Sequence, residues 1–440
     1  VVTAPAAKTN CNNNKGKNAM QRKINRRTTL KSLAASAALI ALPALTSASM
    51  AEGLSGKLSF MVAEYSAKTA PFWQKQVDSF KAANPGVEVT LEVVNWQQMH
   101  DTTVQRIASG AMPDLVNTAT IWLPEWVKAG GIKEVSGDYV SDKVKADIVP
   151  SLFKLGASYE GKSWGLPIAV GGRGLFYNTD LMTQAGYDKV PGDWAGLKEA
   201  VTKVNEKTGQ FGFGYDAKGV QAFRYFGFFL WNNGGDFFDA DGKAAFNSDK
   251  GVEALKYLVD LAGTKAIPAP AGTAIEDLEP MFKSGRLAML IDGNYFATAV
   301  RGDAPNLKFS VAAVPTSSAD VKPVAWGVTD TLVIGNNADP AITKAFIDHI
   351  YSTAARTEFD VNEGLLPLLN SQASLPEFTN DPVTAAFVAQ LPTFRFDPLH
   401  PNYSQMQELV KTAMQKALTG TDPKAALDEA ATAFNALAAE

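Results

Sequence analysis

Residues 159–182, YEGKSWGLPIAVGGRGLFYNTDLM, decide how the rest of the chain is read. The stretch reads as a turn, a short strand, a glycine-rich crossing and a second apolar strand that runs into a helix. Gly171, Gly172 and Gly174 stand where the chain would pass between two structural units. Glycine tolerates backbone angles closed to other residues, so the cluster is expected to act as a crossing or a hinge. Apart from Arg173, no catalytic group accompanies it. The combination points to a two-lobed molecule that moves and binds rather than one that does chemistry.

Upstream, the first methionine is Met20, and residues 1–19 hold Cys11 and an Asn run with no apolar pattern. They read as upstream translated sequence and are set aside. From Met20 the chain reads as an export signal, with Arg22, Lys23, Arg26, Arg27 and Lys31 ahead of a 13-residue apolar run, Leu33 to Leu45. That run is short of the roughly 20 residues that span a bilayer. Ser49-Met50-Ala51 fits a cleavage site before Glu52, which makes the periplasm the expected location. Asn25 to Lys31 resembles a twin-arginine motif with Thr29 where Phe is preferred, so the twin-arginine and Sec routes both stay open.

Residues 1–51 hold eight of the 41 Lys and Arg and none of the 45 Asp and Glu, which leaves 33 basic against 45 acidic residues and a net charge of −12. Such an acidic chain is a poor partner for nucleic acid or anionic membranes. No cysteine follows Cys11, so disulfides and thiolate chemistry are not expected. The 389 residues after residue 51 suffice for two domains, each with its own core.

Strand and helix patterns alternate along this length. Leu58 to Val62 reads as a strand, and Trp73, Val77 and Phe80 mark a helix that Asn84-Pro85-Gly86 stops. Val87 to Val94 is a second strand, Trp96 opens a second helix, Asp114 to Thr118 is a third strand, and Trp122 to Ala129 is a short helix. After residues 168–174 the pattern restarts. Asp193 caps a helix to about Lys207, Phe211 to Tyr215 reads as strand, and Thr273 to Glu276 fits a capping box. Leu287 to Ile291, Phe309 to Val314 and Val328 to Ile334 read as strands, and a helix starts near Asp339-Pro340. Met406, Leu409, Val410, Ala413 and Met414 form a helical stripe. This alternation signals an α/β fold with mainly parallel sheets flanked by helices.

Several blocks, in this order and spacing, resemble the family 1 extracellular solute-binding proteins of ABC transporters, which include maltodextrin-binding protein. They are Gly110 to Leu115, Tyr159 to Met182, Asp193-Trp194, Phe282 to Met289 running into Asp292-Gly293, and Trp326 to Tyr351. The resemblance implies a two-lobed periplasmic binding protein fold with crossings near residues 168, 326 and 365. The expected N-terminal lobe is 52–167 plus 326–365, and the C-terminal lobe is 168–325 plus 366–440. It also implies a monomer that holds a sugar, oligosaccharide or polyol in the cleft, hands it to a membrane permease, and performs no catalysis.

A sugar site needs flat aromatic faces and fixed polar groups. Candidate ligand contacts are therefore Glu64 and Tyr65 after the first strand, Trp96, and the segment carrying Thr118, Thr120 and Trp122. Arg173 follows at the crossing, then Arg224, Trp231 and Asn232, the loop Asp292, Asn294 and Tyr295, Trp326 at the second crossing, and Arg395 and Tyr403. Asp114 reads as a structural cap. Arginines at 173, 224 and 395 near one cleft raise the expectation of an anionic ligand, with a phosphoester such as a glycerol phosphate as the alternative. Polyamine capture would want several cleft acids, and the arginines argue against it.

Enzyme readings find little support. His100, His349 and His400 have no metal spacing, and no metal or cofactor is expected. Gly212 to Ala217 fits a dinucleotide fingerprint only formally, because aromatics fill the positions that should approach pyrophosphate. Asp239 to Gly242 lacks the later ligands of a calcium loop. Glu276, Asp277 and Glu279 suit a helix N-terminus. A secreted glycosidase is the enzyme alternative, without a recognisable carboxylate frame.

Overall fold

The structure is a computed structural model that describes residues 53–219 and 221–437. The export signal and its cleavage site lie outside the described residues. The chain opens with β1 (Ser55–Glu64), α1 (Thr69–Ala83), β2 (Gly86–Asn95), α2 (Trp96–Ala108), β3 (Leu115–Ala119) and α3 (Leu123–Lys128). Strand β1 pairs in parallel with both β2 and β3. Its side chains alternate between two cores, with Leu58, Phe60 and Val62 in one and Met61 and Ala63 in the other, as the period-two geometry of a strand buried on both faces requires. Asp114 is structural, as the sequence suggests. Its Oδ2 accepts from the Ser59 N–H at 2.7 Å and the Ser59 hydroxyl at 2.6 Å, pinning the start of β3 beside β1.

Residues 165–178 form one unbroken 14-residue strand, β4 (Gly165–Asn178), not two strands around a glycine joint. None of Gly171, Gly172 and Gly174 has positive φ. They are glycine for a different reason. A Cβ at Gly172 would lie 2.4 Å from the Phe394 ring, and one at Gly174 would lie 2.6 Å from Val311 and 3.0 Å from Phe387. The cluster lets later segments press directly on the strand.

Beyond β4 come α4 (Trp194–Thr208), α5 (Ala222–Trp231), α6 (Ile275–Lys283), β5 (Met289–Gly293), α7 (Phe296–Asp303), β6 (Phe309–Ala312) and β7 (Ala325–Gly335). The chain continues with α8 (Pro340–Ile350), α9 (Thr353–Glu363), α10 (Pro382–Gln390), β8 (Phe394–Arg395), α11 (Tyr403–Leu418) and α12 (Pro423–Leu437). Asp193 caps α4 through the Gly196 N–H at 2.8 Å. The aromatic run of α5 is helical because it is buried almost all round. Phe211 to Tyr215 makes only isolated bridges to Leu287 and Leu290. Only half of the expected capping box forms, one residue later, because the N-cap is Ala274, which has no side-chain acceptor. Thr273 spends its hydroxyl on the Ala269 carbonyl, and Asp277 accepts from the Ala274 N–H at 3.0 Å.

Among the described residues a nine-stranded sheet runs in the order β2-β1-β3-β7-β4-β5, with β8 and the short strand Ile132–Lys133 on β7 and β6 on β4. Parallel pairing holds at β1–β2, β1–β3 and β7–β8. The two long strands β4 and β7 run antiparallel to each other, with Arg173 opposite Trp326 and Gly165 opposite Val333. They cross the molecule in opposite directions, so neighbouring chain paths cannot all be parallel. Buried Arg356 fixes β4 from the side. Its Nη2 donates to the Ile168 carbonyl at 2.6 Å and to Asp360 at 2.5 Å. Burial pushes the Asp360 carboxyl up to about 6, against the pull of Arg356.

Gly172→Ala should destabilise the fold by about 1–3 kcal/mol through overpacking against Phe394, and Gly171→Ala, whose Cβ would meet only the Asn294 side-chain oxygen at 3.1 Å, should cost less. Urea denaturation measures both. An unchanged midpoint for Gly172→Ala would contradict the close approach.

Candidate functional site

A cavity of about 410 Å³ lies where four parts of the chain meet. Glu64 and Tyr65 enter it from the end of β1, and Trp96 from the first turn of α2. Residues 169–173 of β4 and Val328 and Asp330 of β7 form its floor, and Asn294, Tyr295 and Glu363 to Leu365 line the remainder. Strand ends and helix starts converge here, as expected for a ligand site in an α/β sheet.

Flat surfaces come from the aromatics. Tyr65 stacks on Trp96 at 5.8 Å and 30°, and Tyr295 is 50% exposed. Arg173 lies over the Tyr295 ring at 5.2 Å, with Asp292 3.9 Å from its Nη1. A side chain at Gly293 would collide with this guanidinium at 2.1 Å, so the glycine makes room for it. Asp292 itself is buried behind the arginine, accepting from the Tyr295 hydroxyl at 2.9 Å. Burial raises its pKa against the opposing charge of Arg173. On the other side, the Tyr65 hydroxyl donates to Asp330 at 2.6 Å, and burial pushes that carboxyl up to about 7 from an ordinary 3.8. Glu363 accepts from the Thr69 hydroxyl at 2.8 Å.

Glu64, Tyr65, Trp96, Arg173, Asn294 and Tyr295 are thus brought together as the sequence suggests. Asn294 is largely spent on structure: its Oδ1 accepts from the Gly172 N–H at 3.1 Å and its Nδ2 donates to the Gly364 carbonyl at 2.7 Å. It clasps β4 to the segment after α9. Trp122 and Tyr403 line a separate cavity of about 480 Å³ with His100 and His400.

Other candidates sit elsewhere. Thr118 is fully buried, and Thr120 is committed to the Thr329 carbonyl at 2.7 Å. Trp231 and Trp326 are core residues packed on each other at 4.1 Å. Asn232 is buried and ties α5 to Val324 through bonds of 3.0 and 2.8 Å. The arginines do not converge. Arg224 is bound to both oxygens of Asp397 at 3.2 and 3.3 Å, and Arg395 to Asp236 at 2.7 Å. In each case a carboxylate from a distant part of the chain pairs with the guanidinium, so the sequence argument for an anionic ligand loses its basis.

Val328, Asp330 and Glu363 were missed as candidates. Asp330 as the single charged residue of 326–334 was the available signal, and Val328 and Asp330 share one strand face.

The sequence pattern of the bacterial extracellular solute-binding proteins matches residues 62–357. The chain belongs to that family. A binding protein of Brucella abortus is 31% identical over 405 residues, 91% of this chain and 97% of that one. The cyclic α-maltosyl-1,6-maltose binding protein of Arthrobacter globiformis superposes with a TM-score of 0.77 at 24% identity, over 87% of this chain and 98% of that one. The sugar-binding protein MalE of Xanthomonas citri gives 0.78 at 20% identity, over the same shares. This solute-binding protein therefore has the two-lobed α/β fold of periplasmic binding proteins. Among its described residues no helix is long and apolar enough to cross a membrane.

Asp330 holds its proton more tightly folded than unfolded, so its charge costs stability progressively from about pH 4 to about pH 7. Asp330→Asn should gain on the parent by on the order of 4 kcal/mol across that window, read as the difference in thermal midpoint at pH 4 and pH 8. A pH-independent difference would contradict the burial of an ionisable carboxyl at this point.

Proposed function

We propose that this protein is the substrate-binding component of an ABC importer, and that it captures a carbohydrate in the 410 Å³ cavity and delivers it to a membrane permease by hinge closure. The observation that carries the reading is the meeting of Tyr65, Trp96 and Tyr295 with fixed polar groups at the junction of β4, β7 and residues 363–365. Flat apolar faces match sugar rings, and Arg173, Asn294 and the cavity carboxylates match a hydroxyl rim. By their names the Arthrobacter globiformis protein binds a cyclic maltosyl-maltose and the Xanthomonas citri protein a sugar, which agrees with this chemistry.

The lobes are taken as residues 52–167 plus 326–365 and 168–325 plus 366–440, joined at β4, at β7 and at Gly364 to Leu366. Closure would remove the ligand from water and pair its hydroxyls. The ligand must therefore favour the closed arrangement over the open one. The protein acts as a periplasmic monomer after export. The acid-lined cavity speaks against a phosphoester. Against a glycosidase, the hydroxyls of Tyr65 and Thr69 already occupy Asp330 and Glu363.

A thermal-shift screen over mono- and disaccharides and polyols tests the reading, since a specific ligand at a hundredfold excess over Kd stabilises by about 2.7 kcal/mol. With a binder in hand, Trp96→Ala and Tyr295→Ala should each weaken affinity about tenfold, ~1.4 kcal/mol, by calorimetric titration. Trp326→Phe, in the core, should lower stability and leave affinity within twofold. Full affinity in Trp96→Ala would place the site elsewhere.

A further inference from the structure

The charge on the cavity wall is lopsided. Glu64, Asp330 and Glu363 line it, against Arg173 alone. The arginine already faces Asp292 at 3.9 Å. The three carboxylates have no such match. Asp330 and Glu363 receive only the neutral hydroxyls of Tyr65 and Thr69, and among the described residues none of the three forms an ion pair.

This imbalance matters most when the lobes close. A carboxylate taken from water without a cationic partner is costly, and the cost grows as the site dries. A neutral sugar can donate hydroxyls to such groups but leaves the net charge buried. An anionic solute makes the burial worse. A protonated amine removes the cost by forming charge-assisted hydrogen bonds with the carboxylates. The remaining wall suits the same group. Tyr65 and Trp96, stacked on each other at 5.8 Å, line it with the Tyr65 hydroxyl on Asp330, while the half-exposed Tyr295 ring already carries Arg173 at 5.2 Å. The aromatic surface that the Tyr65–Trp96 stack leaves open attracts cations, more strongly where water is excluded. Burial pushes the Asp330 carboxyl up to about 7, and an ammonium beside it would hold it ionised.

We propose that the solute is an amine-bearing carbohydrate, with its ammonium group against Glu64, Asp330 and Glu363 and a sugar ring against Trp96 or Tyr295. This rests on the carbohydrate reading above and narrows it. It also reverses the sequence-based charge argument, because Arg224 and Arg395 are bound to Asp397 and Asp236 away from the cavity.

The test is calorimetric titration of the full chain with the glucosamine disaccharide, its N-acetylated counterpart, the neutral glucose disaccharide cellobiose, and spermidine. The expected result is that the free-amine disaccharide binds at least tenfold more tightly than either uncharged analogue. That preference should shrink at high salt, and Glu64→Gln and Glu363→Gln should each narrow it several-fold. Equal or tighter binding of the uncharged disaccharides overturns the inference and leaves the carbohydrate reading standing. Binding of spermidine with no disaccharide bound supports the ammonium site and overturns the carbohydrate reading. Binding of none of the four overturns the inference, and the wider sugar screen then decides the reading beneath it.

Discussion

Backbone hydrogen bonding along both edges of β4 is the constraint on which the rest of the molecule depends. One edge pairs with β7 from Arg173 to Gly165. The same edge continues with β6 over Leu175 to Asn178, while the other pairs with β5 over Arg173 to Tyr177, and the Val170 carbonyl accepts from the Leu366 N–H at 2.8 Å. A strand saturated in this way leaves few backbone groups unpaid. It can flex as a unit, but it cannot shift register without turning every side chain to the opposite face. The glycines at 172 and 174 reinforce this arrangement by letting Phe394, Phe387 and Val311 lie directly on the strand.

The cavity follows from that geometry. Arg173 is at the point where β4 passes from β7 pairing to β5 pairing, so it projects between the two halves of the sheet with Asp292 behind it. Asn294 closes the ring by holding Gly172 and Gly364 at once. The carboxylates arrive from the opposite side, on β1, β7 and the end of α9. Positive and negative groups thus enter one space from different segments, and hinge motion would alter the distance between them. A solute that interacts with both sets favours the closed form by its differential contacts, which is what a population shift requires.

Much of the architecture was legible because apolar periodicity and caps are local signals. The strand from Leu58, the helix of Trp73, Val77 and Phe80, the Asp193 and Asp339 caps and the C-terminal stripe all appear in the fold. Glycine at 171, 172 and 174 reads as a hinge in sequence, while the close approach at 172 and 174 is not a local signal: the rings that press there come from more than 200 residues away. The cavity lining was legible where a residue ends or follows a strand, as with Glu64, Tyr65 and Tyr295, and at Arg173 among its glycines. It was illegible where burial or pairing decides the role. Trp231 and Trp326 resemble stacking platforms in sequence, and only tertiary packing shows them against each other. Arg224 and Arg395 look free until Asp397 and Asp236 are placed beside them.

The central claim is that a solute held at the junction of the three passages draws the two lobes together. Small-angle X-ray scattering with and without a saturating carbohydrate ligand tests it most directly. The account predicts a smaller radius of gyration and a shorter maximum dimension in the bound state, with secondary structure unchanged. Saturated binding with no change in either dimension would contradict it.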